Sequence, residues 1–520
     1  MRVCVTLLLL AAAAVAQAPA APRPNIIVFL VDDLGWNDSS VAFGLPKVAG
    51  ANAHYRTPAL ERLAKDGVRF SQAYAHPVCT PTRVSLLTGQ NTLRHGVTDW
   101  TLQRGKDLNA TAHGLQLPEW NCNGLQPAGT NLPHSVESSA TLPMLLAKAG
   151  YRTIHVGKAH FGALGTAGAD PCKLGFDVNI AGHAAGAPSS HLGMKSFASS
   201  NPKRGDVWDV PGLEAWHGRD VTLAEALTDA ALLEIAKAKQ GGKPFFLHFA
   251  HYGVHAPIEP AKKYAPHYSE LGLSTTEQHY AQMVEDVDTS LGRVLDALQQ
   301  HGIADSTLVM FLSDNGGFVS RGGKYLPLNA PLRGGKGSGY EGGVRTPLVV
   351  RWPGPRPSSN AVGAQSGSAA GSSVGGTITT EIARVEDILP TCLDAAGVAP
   401  PQSIDGISLR TAVQGQAAFG HTPEQAPGLP QSRDLHWYYP HGWGGATSGS
   451  EPFAAIRSGD MKLIHFFKGN RVELFDLKVD PQETKDLSSE RAELARALDD
   501  RLLAALKGAG RTLPFSAASK

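Results

Sequence analysis

The stretch NIIVFLVDDLG, Asn25 to Gly35, is an unbroken apolar run closed by two adjacent acids. A strand with one face in water alternates polar and apolar residues, so a run that does not alternate predicts a strand covered on both faces, as in a parallel sheet. YRTIHVGKAH (151–160), KPFFLHFAH (243–251) and STLVMFLSDNGG (306–317) have the same texture. Between them lie helical stretches. TPALERLAKDG (57–67) offers Thr57 as N-cap, Pro58 at the first helical position and Gly67 as stop, and TLPMLLAKAG (141–150) repeats that grammar. HYAQMVEDVDTSLGRVLDALQQHG (279–302) is longer and amphipathic. Strands alternating with helices predict an α/β fold, a large and mainly parallel sheet covered by helices on both faces.

Around this sheet the chain divides. MRVCVTLLLLAAAAVAQAPA has a basic start, an apolar run and small-residue endings, which predicts a signal peptide over residues 1–18, cut after Ala16 in preference to Ala18. A catalytic unit is expected over 22–420, interrupted near 357–376 by a Gly/Ser-rich insertion. From 421 to 520 the runs RDLHWYYPH, FAAIRSG, MKLIHFF and RVELFDL, followed by a charged helix over about 488–507, predict a smaller antiparallel sheet with a C-terminal helix. The 520 residues carry 47 Lys+Arg against 46 Asp+Glu, so no net field draws the protein to nucleic acid or an anionic surface. No later apolar run reaches about 18 residues, and no membrane span is expected. The signal predicts a mature protein outside the cytosol, secreted or periplasmic, or routed to the ER and lysosome in a eukaryote.

Of the five cysteines, Cys4 leaves with the signal, and Cys392 in ILPTCLDAAG reads as a small buried hydrophobe. Cys122 and Cys172 lie in loops, where a disulfide and free thiols are both open readings. Asn37 in NDS and Asn109 in NAT are formal glycosylation sequons.

The chemistry gathers at strand ends. Asp32-Asp33 and Asp314-Asn315 each close a predicted buried strand, and four oxygen side chains converging there suit Ca²⁺ or Mg²⁺ better than zinc. Capping of the following helices is the plainer reading of either pair alone. In HPVCTPTRVSLLTGQ (76–90), Cys79 sits where Thr80 and Pro81 signal a helix start, with Arg83 on the same side at i+4. The free N–H groups of a helix start and the guanidinium together describe an anion pocket centred on residue 79. Glycine-rich GSGYEG (337–342) fits G-x-G-x-x-G, but it precedes an apparent strand, VRTPLVVRW, instead of linking a strand to a helix, so a dinucleotide site is excluded.

Cys79, Pro81, Arg83 and the LTG at 87–89 resemble the C-x-P-x-R signature of the type I sulfatases, within the alkaline phosphatase superfamily. VDDLGW, GKAHFG, HYGVHAP, SDNGG and LRGGKGSGYEGGVRTP follow in that family's order, and the resemblance extends over roughly residues 24 to 510. It implies an alkaline-phosphatase-like fold and oxidation of Cys79 to formylglycine (3-oxoalanine) by a formylglycine-generating or anaerobic sulfatase-maturating enzyme. It further implies that Asp32, Asp33, Asp314 and Asn315, with an oxygen of the modified Cys79, hold Ca²⁺, with Mg²⁺ as the alternative. Arg83 would orient the formylglycine hydrate, Lys158 and His160 would contact sulfate and hydrate, and His255 and Lys336 would contact sulfate and the leaving-group oxygen. His160 is the expected base, and His255 or Lys336 the acid.

The texture lies closer to microbial carbohydrate sulfatases than to animal arylsulfatases. That leans toward a galactose or N-acetylgalactosamine sulfate, with O4 as the favoured position, although an aryl sulfate also suits the chemistry. His183, His441 and Trp443 are the candidate sugar contacts. Two other readings stand beside this one: a phosphonate monoester or phosphodiester hydrolase of the same superfamily, and a non-catalytic glycan-binding relative.

Overall fold

Strand β1 (Asn25–Val31) sends Ile26, Val28 and Leu30 into one apolar core and Ile27, Phe29 and Val31 into another, and all six are fully buried. The unbroken run therefore has the cause inferred for it, a layer of helices on each face. The structure, a computed structural model, describes residues 23–45, 53–106, 114–199, 206–318, 328–354, 375–414, 433–443 and 448–516. The expected signal peptide, Asn109 and the Gly/Ser-rich insertion through residue 374 lie outside them.

The large sheet continues with β2 (Val68–Tyr74), β3 (Arg152–Gly157), β4 (Val178–Ile180), β5 (Phe245–Ala250), β6 (Thr307–Ser313), β7 (Arg345–Thr346), β8 (Leu348–Arg351) and β9 (Ile378–Arg384). Its central order is β2-β8-β6-β1-β5-β3-β4. The five strands from β6 to β4 are parallel. β8 runs antiparallel between β6 and β2, and β9 lies parallel to β2. The run VRTPLVVRW is thus two strands, divided at Pro347, which has no N–H to give a ladder.

Helices α1 (Pro58–Asp66), α2 (Cys79–Thr88), α3 (Leu142–Lys148), α4 (Leu223–Gly241), α5 (Thr275–Gln300) and α6 (Ile388–Ala395) cover this sheet. Leu63 of α1, Leu227 of α4 and Leu291 of α5 share one core, and Leu87 of α2, Leu146 of α3 and Cys392 of α6 share the other. Thr57 is not the side-chain cap of α1. Its hydroxyl accepts from the Ser40 N–H, and the Asp288 carboxylate of α5 receives the N–H groups of Ala59 and Leu60 at 2.9 and 2.8 Å instead. Cys122 and Cys172 are not joined in a disulfide, the former being buried and the latter exposed. Asn37 is buried and donates to the Ala330 carbonyl at 2.8 Å, which leaves no room for a glycan.

The small sheet is an antiparallel meander of β10 (Leu435–Tyr439), β11 (Phe453–Ser458), β12 (Met461–Phe466) and β13 (Arg471–Asp476). Helix α7 (Ala492–Gly508) packs Leu498, Leu502 and Leu506 on one face of it. The other face, through Trp437, Tyr439, Phe453 and Ile464, meets Tyr74, Val78, Tyr340 and Val344 of the larger unit. Val78 directly precedes Cys79, so the small sheet backs the start of α2. Among the described residues no helix is long and apolar enough to cross a membrane.

Candidate active site

Register places the first acids. Val31 of β1 pairs in parallel with Ser313 of β6, so the next residues, Asp32 and Asp314, leave the sheet side by side at its carboxyl edge, where open α/β sheets bind ligands. Asp33 and His160 hold φ of 60° and 54°, a left-handed backbone that is uncommon for residues bearing a Cβ and is visited most readily by Asn, Asp and His. Gly157 closes β3 at φ +97°, and a Cβ there would stand 1.9 Å from the Ala250 carbonyl oxygen. Only glycine permits the turn that leads into Lys158.

Cys79 opens α2, its Sγ 3.7 Å from Asp32 Oδ1. Ligand atoms of Asp32, Asp33, Cys79 and Asp314 all lie within 4.8 Å of one another, and every one of these side chains is buried. Asn315 Nδ2 donates to Asp33 Oδ1 at 2.7 Å, while its Oδ1 is buried without a hydrogen-bond partner. An orphaned buried amide oxygen is costly, and it belongs to the same cluster as the three carboxylates. Burial pushes the Asp32 carboxyl up to about 8, with Asp314 and Asp33 adding to the rise against the pull of Lys158 and Arg83. Crowded carboxylates and an unsatisfied oxygen, with no histidine among the four, fit a hard divalent cation.

Three buried cations surround the acids. Lys158 Nζ lies 2.7 Å from Asp32 Oδ2, and Lys336 Nζ lies 2.7 and 2.9 Å from the two oxygens of Asp33. Arg83, at i+4 from Cys79, reaches Asp314 Oδ2 from Nε at 2.9 Å and Nη2 at 2.8 Å, and donates from Nη1 to the Lys158 carbonyl at 2.7 Å. Burial would lift the Asp314 carboxyl, but Arg83, Lys158 and Lys336 hold it below the usual range. Burial likewise works against the charged Lys336, and Asp33, Cys79, Asp32 and Asp314 together outweigh it and keep this ammonium above the ordinary lysine value.

A cavity of about 520 Å³ opens onto Cys79, His160, His255 and Lys336. The Nε2 of His160 is 2.7 Å from the Thr101 carbonyl, so that nitrogen carries the hydrogen, and Nδ1 is left bare and without a partner. Burial, then Lys158 and Arg83, put its pKa well below the ordinary histidine value. His255 donates from Nδ1 to the Ala256 carbonyl at 2.8 Å and turns Nε2 to within 3.5 Å of Asp33 Oδ2. Burial and Lys336 lower it to about 3.

The positions expected to hold cation, sulfate and nucleophile thus come together. The expected sugar contacts divide. Trp443 lines the cavity, its ring centroid 5.2 Å from Lys336 Nζ. His183 does not line it: its carbonyl accepts from the His160 N–H at 3.0 Å and its ring lies beside Tyr252, so it supports His160 from behind. His441 is also turned away, buried with Nε2 2.9 Å from Thr98 Oγ1 and its ring against Trp120. Trp100, Trp208 and Phe318 also line the cavity, and sequence reasoning misses them as site residues. Isolated aromatic residues in loops have no period to mark them, and only the neighbourhood of Trp100 in VTDWTL has family texture.

A family model described as Sulfatase matches residues 24–398, and one described as N-sulphoglucosamine sulphohydrolase, C-terminal, matches 370–507. The human protein named N-acetylgalactosamine-6-sulfatase is 30% identical over 92% of this chain and 85% of its own length. A protein named Sulfatase from Formosa agariphila is 28% identical over 93% of this chain and 88% of its own. The crystal structure of Ps i-CgsB in complex with k-i-k-neocarrahexaose superposes with a TM-score of 0.66 at 23% identity, covering 93% of each chain, and at that identity speaks for the fold. The match over residues 24–398 and the human relative at 30% identity show that this chain belongs to the sulfatase family, as a hydrolase of sulfate esters.

Proposed function

We propose that the protein is an exported sulfatase of sulfated carbohydrates, with Cys79 as the residue converted to formylglycine and a Ca²⁺ or Mg²⁺ ion held by Asp32, Asp33, Asp314 and Asn315. When present, the formylglycine hydrate supplies two hydroxyls on one carbon, one to attack sulfur and one whose later deprotonation frees sulfate, and the cation supplies positive charge beside them.

The chain's own residues do the rest. Lys158 and Lys336 hold ammonium groups where the sulfuryl oxygens would gather charge, a preorganised arrangement of buried side chains. Arg83, pinned by Asp314 and the Lys158 carbonyl, fixes the direction of the side chain at 79. The bare Nδ1 of His160 is suited to take a proton. Lys336, kept charged by Asp33, is suited to give a hydrogen to the departing oxygen, whereas the unprotonated Nε2 of His255 is suited to accept one. The observation that carries this reading is the convergence of Cys79, three carboxylates and three buried cations in one cluster, of which Cys79 and Lys336 reach the lining of the cavity.

The carbohydrate assignment draws on the half-buried tryptophans of that cavity, whose faces complement the apolar face of a sugar. It also draws on the relative named for N-acetylgalactosamine 6-sulfate, so the sulfate position to be tried includes O6 beside the expected O4. The test is parallel turnover of a sugar sulfate and a matched phosphonate ester by protein matured in a formylglycine-competent host with Ca²⁺. Sulfate release with little phosphonate cleavage is expected. Preference for the phosphonate would make the protein a phosphonate hydrolase, and no turnover of either ester would leave a glycan-binding relative.

A further inference from the structure

Three of the protein's eight tryptophans, Trp100, Trp208 and Trp443, come from well-separated parts of the chain to line one cavity. Each is half-buried, and among the described residues none accepts a hydrogen bond from any of the three indole N–H groups. Trp443 is held in place beside the chemistry. A Cβ on Gly337, whose φ is +81°, would stand 2.4 Å from Trp443 Cβ, so residue 337 must be glycine for the ring to lie next to Lys336. The Lys336 ammonium is 5.2 Å from the Trp443 ring centroid and 6.0 Å from that of Phe318. Aromatic faces therefore begin where the sulfate-binding floor ends. The remaining lining is aliphatic at Val254, Pro257 and Ile258, with hydroxyl groups at Thr276 and Tyr280. Among the described lining residues the basic groups are Lys336, His160 and His255, each already committed to the ester being cleaved, and no carboxylate is present.

We infer that this wall is a subsite for an uncharged pyranose ring, so that the preferred substrate is a sugar bearing the one sulfate to be removed and no second sulfate or carboxylate on that residue. The inference rests on the proposed action on carbohydrate sulfates and narrows it. Tryptophan faces cover the apolar C–H face of the sugar, and the open indole N–H groups serve its hydroxyls. Beside the described lining, a second anion on the same ring would lose water against mainly aromatic and aliphatic side chains and meet no cation beyond the three basic groups already engaged with the ester.

The test reads binding to Cys79→Ala protein, which needs no formylglycine, by calorimetry in Ca²⁺ buffer. The titrants are galactose 4-sulfate, N-acetylgalactosamine 6-sulfate, N-acetylgalactosamine 4,6-disulfate, 4-nitrophenyl sulfate and inorganic sulfate. At least one monosulfate is expected to bind about tenfold more tightly than the disulfate, and Trp443→Ala and Trp208→Ala are each expected to weaken it by about tenfold, the size of one well-packed aromatic contact. Unchanged binding of inorganic sulfate by both variants would show an intact floor. Equal or tighter binding of the disulfate would overturn the inference. So would monosulfate binding insensitive to both tryptophans, or tighter binding of the nitrophenyl ester than of every sugar. Failure of the matured enzyme to turn over any sulfate ester would count against the catalytic proposal alone, since the binding preference is measured separately.

Discussion

At position 79 a thiolate would be hard to form. Burial pushes the Cys79 thiol up to about 12, and Lys158 and Lys336 recover only part of that rise, so the unmodified side chain is a neutral thiol at physiological pH. That favours conversion to a different group over direct thiolate attack. Asp314 touches both Arg83 and the Asp33 N–H, and its nearly isosteric replacement Asp314→Asn removes a ligand charge without opening a hole. The variant is expected to lose bound metal, read by plasma mass spectrometry, and about a hundredfold or more of turnover, the scale of a preorganised electrostatic contact. Full activity with full metal content would remove Asp314 from the site. Lys336 and His255 are separated by leaving-group dependence. Lys336→Ala should slow alkyl and sugar sulfates by about 10²–10⁴-fold while slowing nitrophenyl sulfate much less, because only the poorer leaving groups need a proton in the transition state. His255→Ala should slow both alike, and the reverse pattern would hand the acid role to His255.

The helices and strands show how far local sequence reaches. The double-sided burial of β1, β5 and β6 was legible because an unbroken apolar run of strand length leaves no polar face to turn toward water. The acids following β1 and β6 were legible as site residues because they close such runs. Non-local partners were not. The cap of α1 comes from Asp288, more than two hundred residues away on α5, while the local candidate Thr57 is occupied with Ser40. Nor does a short apolar run declare its direction, so the antiparallel insertion of β8 between β6 and β2 had no local signal. Trp100 and Trp208 were illegible for the same reason, since only the folded loops bring them to Cys79. If Asp288 is the true cap, Asp288→Ala should cost about 1–3 kcal/mol of stability by denaturant titration, from two N–H groups left unsatisfied, and Thr57→Ala clearly less. Equal losses would return the cap to Thr57.

Across the whole molecule, the small sheet is joined to the catalytic unit by a buried charge cluster as well as by apolar packing. Lys462 of β12 lies 2.9 Å from Glu341 Oε1 and 3.0 Å from Glu483 Oε1, all three out of contact with solvent. Burial, with Glu341 adding to it, lifts the Glu483 carboxyl to about 7 against the pull of Lys462. A folded-state value above the unfolded one near 4.5 means that this group's contribution is fully present below about pH 4.5 and is lost as pH rises through about 7. The melting temperature of the wild type should therefore fall between pH 5 and 8 relative to Glu483→Gln, and parallel melting profiles would show that Glu483 does not titrate in that window. The claim on which the whole reading depends is chemical identity at residue 79, at the junction of the two sheets. Its most direct test is the mass of the tryptic peptide Phe70–Arg83 from enzyme that is turning over a sulfate ester. Replacement of the thiol sulfur by a carbonyl oxygen is the expected result, and an intact thiol in fully active enzyme would contradict it.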